Sequence, residues 1–273
     1  MNPIDRVAIV EAIESALEGG EPIAVATVVE PGEPGWLNPG DKMAVRRDGT
    51  RLGTLGSEAI DEIIASASSD VFTVIPRIEM QALYLAPDGR AVTRRSQAQA
   101  GDAQVTLQLF EAPARLVIVG GGHVGLALAT VGELTGFSVI VIDDREEFAN
   151  RERFPMADQV IPEDAGEVIP RLGLDANTYV VLVSRGHRYD EEALRASVGQ
   201  GAAYVGMIGS ARRTGTVLRH LEEEGFDRAA LDAVSTPIGL DIGAETPEEI
   251  GISILAELIM FRRGGDGGRM RRS

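Results

Sequence analysis

The chain has 273 residues, long enough for two domains that each bury a core. It has no cysteine, which excludes disulfides, a thiolate nucleophile and cysteine-ligated zinc or iron–sulfur centres; only three histidines (His123, His187, His220) argue against a histidine-rich metal site. The formal charge is −16 and Lys42 is the only lysine, so the surface is expected to repel nucleic acid and anionic membranes.

No apolar run approaches the roughly 18 residues of a membrane span. Asp5, Glu11 and Glu14 argue against a signal peptide, so a cytoplasmic location is expected. So acidic a composition suits a salt-rich cytoplasm, where the Debye length of about 3 Å at 1 M salt screens self-repulsion. Stability is therefore expected to fall in low salt. A thermal melt that does not respond to salt concentration would contradict this.

In chain order, Ile4–Leu17 has the apolar spacing of an amphipathic helix, and Gly19-Gly20 ends it. Ile23–Val29 reads as a strand, followed by a Pro/Gly loop that carries Trp36. Met43–Arg47 is a short strand before the Asp48-Gly49 turn. Ser57 caps a helix of about ten residues with Ile60, Ile63 and Ile64 inward. Val71–Ile75 and Met80–Leu85 read as strands. These elements make a small α+β domain over residues 1–93. Residues 94–112 read as a connecting segment, polar over Arg94–Asp102, with Val105–Phe110 a strand leading into the second domain.

From Ala114 onward strands and helices alternate. Arg115–Val119, Ser138–Ile142, Gln159–Ile161, Tyr179–Ser184 and Tyr204–Ile208 are the strands, and the pattern is that of a doubly wound parallel sheet over residues 113–262. The Gly/Arg-rich tail, 263–273, reads as disordered.

The most informative stretch runs from Leu116 to Gly125. An apolar strand, Leu116–Val119, meets Gly120, Gly121 and Gly122, and a helix starts near His123 and Val124. Gly120, Gly122 and Gly125 have the G-x-G-x-x-G spacing of a Rossmann βαβ unit. Gly120 serves the tight turn, Gly122 a close approach to a pyrophosphate, and Gly125 close helix–strand packing. The helix N-terminus offers free N–H groups to phosphate. The next strand ends at Asp143, where a carboxylate can accept from a ribose hydroxyl. His123 either approaches the ligand or caps the helix start.

Three further stretches lie at the carboxyl ends of strands, where open α/β sheets bind ligands. Ser184-Arg185-Gly186-His187-Arg188-Tyr189-Asp190 is either an anion or heterocycle clamp or a loop with surface arginines, with Asp190 capping a helix. Gly209-Ser210 before Arg212 and Arg213 is either a second phosphate cradle or a simple glycine turn. The loop from Pro237, with Asp241, either borders the site or only connects. It leads to Thr246, Pro247 and Glu249, a capping box with proline at the first helical position. The helix 247–262 is apolar too broadly for a one-sided surface helix. It is expected between layers or in a dimer contact.

Taken together, GGGHVG, GFSVIVIDDREEFAN, RGHRYDEEAL, YVGMIGSARR and PIGLDIGAETPEEIGISILAEL resemble the XdhC/CoxI family, accessory factors of xanthine dehydrogenase and other molybdenum hydroxylases. The resemblance implies a small α+β XdhC–CoxI domain followed by a Rossmann-like domain. It implies a chaperone, rather than a catalyst, that binds a molybdopterin-type cofactor and delivers it to an apo molybdenum hydroxylase. A cysteine desulfurase partner and a homodimer are implied too. The matched positions are Gly120, Gly122, His123, Gly125, Asp143, Arg145, Gly186, His187, Asp190, Gly206, Gly209, Ser210 and Asp241; Arg185, Arg188 and Arg212 are added as cations that neutralise phosphate. The family's glycine-rich turn in the first domain is replaced here by Gly56-Ser57-Glu58-Ala59, which adds a negative charge. Two other readings stay open. One is an NAD-dependent oxidoreductase in which Asp143 disfavours NADP and His187 or Tyr189 donates a proton. The other is an interaction scaffold with a vestigial nucleotide site.

Overall fold

A computed structural model describes residues 3–73, 78–184 and 187–270. The chain divides into two compact units, 1–112 and 113–273.

The first unit comprises α1 (Pro3–Leu17), β1 (Ile23–Glu30), β2 (Lys42–Arg46), β3 (Arg51–Gly53), α2 (Glu58–Thr73), β4 (Met80–Leu85), β5 (Ala91–Val92), a 3₁₀ turn at Arg95–Gln97 and β6 (Ala103–Phe110). Its strands form one six-stranded sheet in the order β3-β2-β1-β6-β4-β5, in which neighbours pair antiparallel. Two expectations are corrected here. The segment 94–112 is not a connector, because β6 lies inside the sheet between β1 and β4. Its alternation explains this: Ala103, Val105, Leu107 and Leu109 are buried while the intervening side chains point to the other face. The polar stretch before it is tied down, with Arg90 donating to both oxygens of Asp102 at 2.6 and 2.8 Å. Residues 71–73 are the last turn of α2, not the start of a strand; the rest of that expected strand, residues 74 and 75, falls outside the described residues. Ile60, Ile64, Ala67 and Val71 keep a helical period, and that period overrides the β preference of Val71 and Phe72.

The second unit contains β7 (Arg115–Val119), α3 (His123–Leu134), β8 (Ser138–Ile142), β9 (Gln159–Ile161), α4 (Ala165–Leu172), β10 (Thr178–Leu182), α5 (His187–Ser197), β11 (Tyr204–Met207), α6 (Ala211–Glu223), α7 (Arg228–Asp232) and α8 (Pro247–Arg263). The sheet order is β11-β10-β7-β8-β9, all parallel. Its inner strands are buried on both faces, as helices on either side require. Val117, Val119, Ile140, Ile142, Val180 and Leu182 feed one core. Leu116, Ile118, Val139, Val141 and Val181 feed the other, with Ile254 and Leu258 of α8. Chain order reverses between β7 and β10, and this switch point is where a crevice opens beyond the strand ends.

Helix α8 has the expected capping box. Thr246 accepts from the Glu249 N–H at 3.2 Å, and the Glu249 carboxylate accepts from the Thr246 N–H at 3.0 Å. Thr246→Ala should cost about 1 kcal/mol, read as a lower midpoint in denaturant. The helix packs closely on α3, where a Cβ on Gly251 would come within 3.1 Å of Ala127 and Leu128. Its inner face is covered by layers, while Ile252 and Ile259 stay exposed. Residues 265–270 follow Gly264, a left-handed C-cap, without regular secondary structure; 271–273 are outside the described residues. None of the described helices is long and apolar enough to cross a membrane.

Candidate functional site

The glycine turn follows β7, and its three motif glycines do different things. Gly120 has φ +115°, and a Cβ there would lie 2.8 Å from the Ser184 backbone nitrogen, so the chain after β10 crosses directly over it. A Cβ on Gly125 would sit 2.0 Å from the Gly120 carbonyl oxygen. Gly122 differs: it caps α3 in an extended conformation, and a Cβ there would meet nothing within 4 Å. Gly120 and Gly125 are therefore glycine for packing, and Gly122 faces open space. Gly121 is fixed too, since its Cβ would strike the Phe148 carbonyl oxygen at 2.0 Å.

That open space is a cavity of about 540 Å³, a size common for cofactor sites. Gly120, Gly122, His123 and Val124 line it on the α3 side, and Val183 and Ser184 after β10. Asp143, Arg145 and Phe148 line the edge beyond β8, and Ile208, Gly209, Arg213 and Pro247 complete it. It thus occupies the switch point. The first N–H groups of α3 have no partner within the helix and point toward this end of the sheet.

The glycine turn is held at both ends of one residue. Gly121 N–H donates to Asp143 Oδ2 at 2.8 Å, and the Gly121 carbonyl accepts from Arg153 Nε at 2.8 Å. Arg153 carried no sequence signal, since it lies 32 residues away among other charges.

Asp143 is where the ribose expectation is corrected. Its carboxylate is 1% exposed. Oδ1 accepts from the Arg145 N–H at 3.1 Å and from Arg145 Nε at 2.9 Å, and Oδ2 accepts from Gly121 N–H and from Arg145 Nη2 at 3.0 Å. Burial works against its ionisation, but the bonds from Arg145 and Gly121 outweigh it and hold the carboxyl below its usual range. With each oxygen accepting two bonds, the carboxylate is a structural clasp for the turn. Arg145 lines the cavity beside it and is the more exposed of the two. Its guanidinium lies 3.9 Å over the Phe148 ring and is half exposed.

Across the cavity a second buried carboxylate, Asp190, accepts from Ser184 Oγ at 2.5 Å and from Arg213 Nη2 at 2.7 Å. Asp190 is 1% exposed, so it anchors rather than touches a ligand. Ser210 caps α6 by accepting from the Arg213 N–H. Arg213, not Arg212, lines the cavity; Arg213 also lines a neighbouring groove, with Arg212, Ser210, Glu191 and His220. Asp241 is exposed and is not among the cavity's lining residues. Its loop is drawn to α8 instead, where Ser253 Oγ donates to the Leu240 carbonyl at 2.6 Å. Tyr189 packs against the core rather than lining the cavity, and burial, with the charges of Asp144 and Asp143, pushes its phenol up. It does not support a proton-donor role. Arg185 and Gly186 are outside the described residues, as are the side chains of His187 and Arg188.

Residues 116–258 match the XdhC Rossmann domain, and residues 16–75 match the XdhC and CoxI family. The chain belongs to the XdhC and CoxI family. It is 30% identical over 235 residues to an uncharacterized protein, YqeB, of Escherichia coli, covering 84% of this chain and 42% of that one. It is 32% identical over 159 residues to a Bacillus subtilis protein named as a probable xanthine dehydrogenase subunit, covering 58% of this chain and 46% of the relative. The chain therefore spans less than half the length of either relative. A crystal structure of a xanthine dehydrogenase from Bacillus halodurans has the same fold, with a TM-score of 0.55 at 19% identity over 93% of this chain and 96% of that one.

In this XdhC and CoxI family chain, the altered first-unit turn also borders a cavity, of about 320 Å³, lined among others by Trp36, Gly56, Ser57 and Asp88. Glu58 is not among the lining residues and pairs with Arg51 at 3.0 Å, so its charge is directed to a surface ion pair rather than into that cavity.

Proposed function

We propose that this chain is an accessory factor of a xanthine dehydrogenase-type molybdenum hydroxylase, and that the switch-point cavity holds a phosphate-bearing cofactor for delivery to it. The observation that carries this reading is the open space at Gly122, beside the first turn of α3 and within a cavity edged by Arg145 and Arg213. The space a Cβ would fill at Gly122 suits a phosphate held by backbone N–H groups. The two guanidiniums provide charge-assisted hydrogen bonds. These residues fit the phosphate end of a molybdopterin-type cofactor or of its dinucleotide, and bound cofactor would supply the molybdenum chemistry used by the target enzyme.

The family membership and the name of the Bacillus subtilis relative support the link to xanthine dehydrogenase. The test is co-expression of a xanthine dehydrogenase-type apoenzyme with this chain or with its Gly122→Ala variant, followed by assay of molybdenum and pterin in the purified hydroxylase. The wild-type chain should raise both contents and the variant should not. Equal cofactor content in the presence and absence of the chain would contradict the proposal.

A further inference from the structure

The Asp143 carboxylate at the end of β8 stands where a dinucleotide site reads the ribose, yet it cannot do so here. A ribose-reading carboxylate must accept from hydroxyls, and both oxygens of Asp143 already accept two bonds, Oδ1 two from Arg145 and Oδ2 one each from Gly121 and Arg145. Arg145, half exposed where Asp143 is buried, is the group on this edge of the cavity with donor capacity to spare. Nε and Nη2 are bound to Asp143, the guanidinium lies over the Phe148 ring, and Nη1 has no hydrogen bond among the described residues. The guanidinium is fixed along one edge and one face, so little side-chain freedom remains to be lost when a ligand binds. It also shares Asp143 Oδ2 with the Gly121 N–H, which places it beside the glycine turn.

We infer that Arg145 makes this cavity select ligands that carry a phosphate monoester at the ribose edge over ligands that present bare hydroxyls there. The inference rests on the reading of the cavity as a cofactor site, and it reverses the preference that Asp143 implied from sequence. The monoester can be the 2′-phosphate of a dinucleotide or the terminal phosphate of molybdopterin. Asp144 lies 3.9 Å from Arg145 Nε, so the surroundings are not strongly cationic, and selection comes from directional hydrogen bonding more than from field. One charge-assisted bond sets its scale, a ratio of about tenfold or more.

The test is calorimetric titration of the full chain, at the salt concentration that keeps it folded, with NADP⁺, NAD⁺, molybdopterin and molybdopterin cytosine dinucleotide. NADP⁺ is expected to bind at least about tenfold more tightly than NAD⁺. A preference for molybdopterin over its dinucleotide identifies the pterin phosphate as the group reached, and a preference confined to NADP⁺ identifies the 2′-phosphate; either supports the inference. Arg145→Ala should abolish the preference. Arg145→Gln, which can still donate to Asp143, should abolish it with a smaller loss of melting temperature than Arg145→Ala. Equal or tighter binding of NAD⁺ with no preference between the pterins, or a preference unchanged in Arg145→Gln, overturns the inference and leaves the cofactor cavity standing. Failure of all four ligands to bind overturns both.

Discussion

Gly125→Ala is expected to destabilise the second unit by about 3 kcal/mol, while Gly122→Ala, three residues earlier in the same motif, should change stability by no more than about 1 kcal/mol. The Cβ added at Gly125 would lie 2.0 Å from a backbone oxygen in the strand–helix turn, and no rotamer can relieve that contact. The Cβ added at Gly122 meets no protein atom, and its backbone, at φ −68° and ψ −167°, is open to any residue. Its cost falls on the ligand. Loss of the close approach of phosphate to the turn should weaken binding by about a hundredfold, or ~2–3 kcal/mol. Chemical denaturation and ligand titration of the two variants separate the effects. Equal destabilisation of both, or undisturbed binding in Gly122→Ala, would show that the space at Gly122 is not where phosphate sits.

Asp143→Ala should cost about 2–3 kcal/mol, the low end for breaking a buried ion pair, because the half-exposed Arg145 can turn to water while the Gly121 N–H cannot. The same clasp fixes a pH dependence. The Asp143 carboxyl is held below its usual value in the folded chain, so its contribution is fully present above the unfolded value of about 3.9 and is lost as pH falls through the folded one. Wild type should therefore lose more stability on acidification below about pH 4 than Asp143→Ala does. Denaturant midpoints measured down the acid limb test this, and parallel curves would remove Asp143 from its proposed role.

What was legible in the sequence follows the range of the interaction involved. The strands of the second unit could be read because Leu116–Val119 and Ser138–Ile142 are buried on both faces and so are continuously apolar. The glycine turn could be read because backbone crowding admits only glycine at Gly120 and Gly125. Spacing also located Asp143, but it could not show which way the carboxylate bonds; Arg145, two residues on, encloses it in the fold. Arg212 and Arg213 are adjacent on α6, and a helix turns about 100° between neighbours, so only the register of that helix decides which one reaches the cavity. β6 is not legible as a sheet strand of the first unit, because its place between β1 and β4 depends on pairing with Met80–Leu85 and with Ile23–Glu30, distant in the chain.

That the switch-point cavity carries a phosphate-bearing cofactor is tested most directly on the purified chain. It would be prepared anaerobically in high salt and denatured, and the released material assayed for oxidised pterin fluorescence, nucleotide and molybdenum, with Gly122→Ala prepared in parallel. Pterin close to one per chain is expected with wild type, and little or none with the variant. A wild-type chain that is empty, and that takes up neither pterin nor nucleotide when they are added, would contradict a cofactor role for the cavity.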